Sequence, residues 1–217
     1  MLLRWSLIPL LALSLSGWTQ DRDLTAPPAK AAGEDWQPLF NGRDLTGWVP
    51  VGQESWTVQD GVIHGQTRTQ DYGYLKTERR FRDFDLSLRF RCEANGNSGV
   101  FFRAEFKPGT AEVVQGPQFE IDCNIGHHTG GIYDVGRQWL VWPAPENETV
   151  IRPREWNEYL LQVHGNRYIA RLNGIAITDF TDPAPRAWYG SIALQLHMGG
   201  HGDMLFRDIL IRDLSGR

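Results

Sequence analysis

Past residue 50 the chain alternates apolar and polar positions in short runs. "SWTVQDGVIHGQ" reads as two strands around Asp60-Gly61, a favoured pair for a two-residue hairpin turn. "FDLSLRFRCEA" places Leu86, Leu88, Phe90 and Cys92 on one face. "GNSGVFFRAEF" follows a glycine-rich turn, and "GPQFEIDCN" alternates again. "EWNEYLLQVHGNRYIARLNGIAIT" holds three strands with turns at Gly165-Asn166 and Asn173-Gly174, and "GSIALQLHM" and "DMLFRDILIRDL" complete the set. The weak helical candidate is a turn near residues 183–188. About ten strands with closely spaced turn signals predict an all-β fold, an antiparallel β-sandwich or jelly roll.

Side chains alternate across a strand, so the apolar face assigns the other one. With Phe119, Ile121 and Cys123 inside, Glu120, Asp122 and Asn124 face outward. With Ile192, Leu194 and Leu196 inside, Gln195 and His197 face outward. Phase is ambiguous at Phe101-Phe102. Placing Val100 and Phe102 inside sends Phe101, Arg103 and Glu105 out. The result is a polar face carrying Arg103, Glu120, Asp122, Gln195 and His197. A merely solvated sheet would show the same alternation. The preference for planar or short polar groups, with Tyr133, Trp139, Trp142 and Trp188 nearby in sequence, favours a sugar site with ring stacking and hydroxyl hydrogen bonds.

The N-terminus breaks the pattern. One early charge, Arg4, precedes an apolar run too short to span a bilayer comfortably, and Ser14-Leu15-Ser16 gives a small-x-small cleavage signature. Residues 1–16 are therefore expected to be a signal peptide, with an uncleaved anchor as the alternative. Residues 17–34, with Pro27-Pro28 and small residues, read as a linker, and residues 35–217 as one domain. The expectation is an exported, periplasmic or extracellular protein with no membrane span in its mature chain. Export permits a disulfide, but Cys92 and Cys123 at apolar-face positions suit two buried thiols equally.

Composition adds exclusions. The 217 residues carry a net charge of −4 with no basic run, so nothing points to nucleic acid. Only three of the 22 basic residues are lysine: Lys30, Lys76 and Lys107.

"FEIDCNIGHHTGGIYD" can be a glycosidase strand, a metal site or an ordinary strand and turn with polar decoration. "FEIDCN" resembles the catalytic strand of laminarinase-like glycosidases, in which three carboxylates alternate. Retaining hydrolysis needs two carboxyl groups about 5–5.5 Å apart. Asn124 holds the third place and donates no proton, which argues against that chemistry. His127-His128 are adjacent, so on an extended chain their rings diverge. His197 and His201 flank a glycine loop, but no strong metal spacing is present. A divalent ion held by histidine and carboxylate groups stays open.

Motifs along the chain narrow the choice. "WQPLFNGRDLTGW" opens the domain, followed in order by "NSGVFFR", "PQFEID", "TGGIYD", "RPREWNEY", "RLNGIAITD", "GSIALQLH" and "LFRDILI". With these the chain, from about Trp36 to Leu214, resembles the 3-keto-disaccharide hydrolase domain family. The resemblance implies a concanavalin-like jelly roll and a substrate oxidised at C3 of a sugar. A C3 ketone acidifies the C2 hydrogen, so a base can form an enediolate that expels the group at C1, and water then adds. One base, an electrophile and a proton source suffice, and Asn124 is no obstacle.

On that implication Glu120 or His197 would be the base. Arg103, or a bound metal, would stabilise the enediolate oxygen. Asp122, His127, Tyr133, Trp139 and Gln195 would bind substrate. Two other classes compete: a non-catalytic carbohydrate-binding module on the same fold, and an interaction domain whose polar face is only solvated.

Overall fold

The computed structural model describes residues 35–216. Residues 1–34, and with them the expected signal peptide and linker, lie outside the described residues. In chain order the strands begin with β1 (Gln37–Pro38), β2 (Trp48–Val51), β3 (Ser55–Gln59), β4 (Val62–Gln66), β5 (Gly73–Phe81) and β6 (Phe84–Cys92). They continue with β7 (Asn97–Phe106), β8 (Val113–Gln115), β9 (Pro117–Asp122), β10 (Ile132–Asp134) and β11 (Gln138–Val141). The last are β12 (Asn157–His164), β13 (Arg167–Leu172), β14 (Ile175–Thr181), β15 (Gly190–Leu196) and β16 (Asp203–Asp213). One short 3-10 turn, Pro145–Asn147, is present. Residues 183–188 form bends, so the weak helical candidate there is not a helix.

Two antiparallel eight-stranded sheets face each other as a sandwich. The first runs β14-β13-β12-β6-β16-β4-β3 with β1 added against β16. The second runs β11-β10-β9-β7-β15-β5-β2 with β8 against β7. The ten strands expected from sequence are all present. The six others are short or, in β5, carry the exposed run Glu78-Arg79-Arg80 that hides the alternation. Hairpin turns follow the expected chemistry. Asp60 and Gly61 both have positive φ (51° and 78°), as do Asn173 and Gly174 (52° and 85°).

The shared core takes Leu86, Leu88 and Phe90 from β6, Phe119 and Ile121 from β9, Ile192, Leu194 and Leu196 from β15, and Phe206 from β16. The expected inward faces are therefore correct. A disulfide joins Cys92 at the end of β6 to Cys123 just after β9, with Cα atoms 5.8 Å apart. It ties the two sheets together and resolves the open alternative between thiols and a bridge. Among the described residues no helix is long and apolar enough to cross a membrane.

The central strands of the second sheet are buried on both faces. Its outer face holds a separate apolar cluster of Tyr74, Phe101, Ala104, Val113 and Ala193. Every residue of β9 and β15 is buried, polar ones included. The outward polar groups are thus not a solvated surface, which removes the reading that the face exists only for solubility.

Candidate active site

Register places the outward side chains on a grid. Glu120, Gly99, Gln195 and Tyr74 lie in one row across β9, β7, β15 and β5. Gln118, Phe101, Ala193 and Lys76 form the next row. Asp122 pairs with Asn97, whose carbonyl accepts from the His197 amide. The rows line a pocket of about 1160 Å³, whose walls also include Lys107, Gly109, Ala111, Tyr133 and Trp139.

Gly99 sits centrally, between Glu120 and Gln195. A Cβ there would come within 2.6 Å of the Gln118 amide oxygen and 3.2 Å of the Phe119 carbonyl. Glycine leaves a hollow in the sheet where another group can approach the backbone.

Glu120 is 3% exposed. Its carboxylate accepts from the Asn97 side-chain amide and, at 2.8 Å, from Gln118 Nε2. Burial is the dominant influence and pushes its pKa up to about 8; the amide hydrogen bonds pull the other way and the nearby Asp122 charge adds to the rise. The backbone of Glu120 is held on every side. Its N–H donates to Gly131 O at 3.0 Å. Its carbonyl accepts from Gly130 N at 3.0 Å and from the Tyr159 hydroxyl at 2.9 Å, across the core. Gly130 has φ of 95°, and a Cβ on it would strike Ile177 at 2.4 Å, so the glycine lets this loop lie against β9.

His197 lines the pocket too. Its Nδ1 lies 3.0 Å from the Met198 carbonyl, which makes Nδ1 the protonated nitrogen. Nε2 is left to accept from the Tyr72 hydroxyl at 3.2 Å. Tyr72 stacks on Tyr74, and burial pushes the Tyr74 phenol up to about 12. Three buried amide oxygens, on Asn97, Gln118 and Gln195, lack a hydrogen-bond partner. Such orphans cost about 1–3 kcal/mol each, and their clustering around one hollow marks this region of the sheet.

The other sequence candidates separate. Tyr133, Trp139 and Gln195 line the pocket with Glu120 and His197. Asp122 is buried beside Asn97, but its Oδ1 accepts from Asn124 N and Nδ2 at 2.8 and 2.9 Å and so anchors the following loop. His127 is 58% exposed in its side chain, 3.6 Å from Asp122, and outside the pocket.

Arg103 requires correction. A bulge sets Phe102 and Arg103 opposite Ile192, since Phe101 pairs with Ala193 and Ala104 with Ser191. Arg103 takes φ of 50°. Phe101 does face the pocket, but Ala104 takes the next outward place and Arg103 is re-aimed. Its guanidinium, fully buried, donates to Arg82 O, Ala187 O and Asp83 Oδ1 at 2.7, 3.2 and 2.8 Å. It cannot meet a ligand in the pocket.

Sequence reasoning missed Asn97, Gln118, Tyr72 and Tyr74. Gln118 shares the parity of Glu120 in "PQFEID" and was findable. Asn97 opens β7 within the run "GNSGVFFRAEF" and shares the outward parity of Phe101. Among the described residues no group of three or more His, Cys, Asp and Glu side chains is placed to hold a metal.

A family described as the 3-keto-alpha-glucoside-1,2-lyase-like domain matches residues 35–212. The chain belongs to this family. A 3-keto-disaccharide hydrolase of Bacteroides thetaiotaomicron is 30% identical over 172 residues, covering 65% of this chain and 57% of that protein. The chain thus matches little more than half the length of that relative. A candidate glycosyl hydrolase from Parabacteroides distasonis shares the fold with a TM-score of 0.66 at 21% identity, over 87% of this chain and 98% of the other. The carbohydrate-binding module CBM66 of Bacillus subtilis shares it at 0.59 and 15% identity, over 77% and 96%. The family's fold is therefore used by enzymes and binding modules alike, and fold alone does not choose between them.

Proposed function

We propose that this member of the 3-keto-alpha-glucoside-1,2-lyase-like family is an exported enzyme that cleaves 3-keto-glycosides. One observation carries the reading: a buried carboxyl group, Glu120, whose pKa is raised to about 8 and which lines a pocket beside a strand glycine. A binding module gains nothing from so costly a group, whereas a base of that strength suits a carbon acid next to a ketone.

In the proposed reaction the ionised Glu120 removes the C2 proton, and the electron pair moves toward the C3 oxygen as an enediolate. Collapse of the enediolate breaks the C1–O bond and leaves a C1–C2 double bond. The departing oxygen takes a proton from the Tyr72–His197 pair. Water then adds at C1 and gives one proton back to the Tyr72–His197 pair, while Glu120 returns its own proton to C2, which completes a net hydrolysis. Tyr133 and Trp139 provide ring faces, and Gln195 an amide beside Tyr74. Export is supported by the leader-like N-terminus and by the Cys92–Cys123 bridge, which suits an oxidising compartment.

The test is turnover of a 3-keto-glucoside by wild type and Glu120→Gln. The expected loss in kcat is about 10²–10⁴-fold, the usual contribution of a positioned base. Retention of full turnover by the variant would remove Glu120 from the chemistry.

A further inference from the structure

Outside the pocket, one of the most exposed aromatic residues among those described is also firmly held. Trp142 follows β11 directly and is 57% exposed. One of its faces lies on the His128 ring, with centroids 4.7 Å apart and planes at 5°. His128 is itself fixed: its N–H donates to Glu148 Oε2 at 2.8 Å, and its Nδ1 lies 2.6 Å from Glu148 Oε1. The backbone there is left-handed, with φ of 69°. The opposite face of Trp142 is left to solvent.

Aromatic contacts connect this ring to the pocket. Trp139 meets Trp142 edge-on at 6.3 Å, and Tyr133 meets Trp139 edge-on at 5.6 Å. Tyr133 and Trp139 are pocket walls. Across the sheet, β11 lies two strands from β9. That separation is about 10 Å in the hydrogen-bonding direction, a span within reach of a two-ring substrate with one ring seated at Glu120.

We infer that the open face of Trp142 is a binding subsite for the ring carried on the C1 oxygen of the substrate, a pyranose or an aromatic aglycone. This rests on the reading that a keto sugar occupies the pocket. The chemistry fits a ring-bearing partner. An indole face offers apolar area to the C–H face of a sugar or to another aromatic ring, and a platform already locked loses little entropy on binding. Packing alone explains the contact with His128 but not why so large an apolar face stays open at the end of a pocket wall.

The experiment compares Trp142→Ala and Trp142→Phe with wild type on two substrates, a 3-keto disaccharide and a methyl 3-keto-glucoside. The readout is the ratio of their kcat/KM values. In Trp142→Ala it should fall by roughly five- to tenfold, as expected for one ring contact, and Trp142→Phe should restore part of it. A ratio equal to that of wild type overturns the subsite, whatever happens to the individual rates. If wild type turns over neither substrate, the proposed chemistry fails. Calorimetric titration with the unoxidised disaccharide then decides the subsite by itself. Affinity roughly fivefold weaker in Trp142→Ala supports it. Equal affinities, or no binding to wild type, overturn it.

Discussion

Glu120 holds its proton at neutral pH because burial penalises the charge more than two amide donors relieve it. As a base it works only when ionised. Below pH 8, kcat/KM for a keto-glycoside should therefore rise about tenfold per pH unit and level off above. Initial rates from pH 6 to 9.5, less the uncatalysed background, would show it, and a profile flat across pH 8 would sink the assignment. The same group sets a stability trend. Between its ordinary value of 4.5 and about 8, the folded protein keeps a proton that the unfolded chain has released. Stability then falls as pH rises through that window. Glu120→Gln removes the titration, so the variant's Tm relative to wild type should climb from pH 5 to pH 9. A constant difference would contradict the burial argument.

At the scale of elements, the bulge in β7 sorts two neighbouring residues into different roles. Phe101 enters the pocket, while Arg103 clamps the Arg82–Asp83 turn and the Ala187 carbonyl. Arg103→Ala removes the donors to Arg82 O and Ala187 O, leaves Asp83 Oδ1 with the Gly165 amide alone, and empties a fully buried site, so it should cost about 2–4 kcal/mol in urea unfolding. Turnover measured well below the variant's Tm should stay near that of wild type. A variant of native stability with lost turnover would return Arg103 to the chemistry. Alternation was readable in β9 and β15 because it is a local property of the chain, and it brought Glu120, Gln195 and His197 to one face correctly. It failed at Arg103 because a bulge is visible only in the pairing with β15. It also failed at β5, whose Tyr74 and Lys76 reach the pocket through a partner strand more than 100 residues away.

For the whole molecule, the disulfide fastens β6 of one sheet to the end of β9 in the other, beside the candidate base. It closes 31 residues of chain, worth about 3–4 kcal/mol in the chain-entropy account. Cys92→Ser should lower Tm by roughly 10 °C. Thermal melts with and without reductant would check this: reductant should bring wild type toward the variant and leave the variant itself unmoved.

Much of this protein was determined by its sequence alone. Short alternating runs fixed ten of the strands, paired turn residues fixed their hairpins, and ordered motifs fixed the family, because each depends on neighbours in the chain. Tertiary structure decided the rest. "FEID" is a local pattern, but only pairing to β7 sets Gly99 beside Glu120, and only a second buried face raises the pKa of that carboxyl instead of leaving it a solvated charge. The physical reason is the same in each case. Burial, desolvation and strand register come from residues distant in sequence, and no local pattern encodes where they will meet.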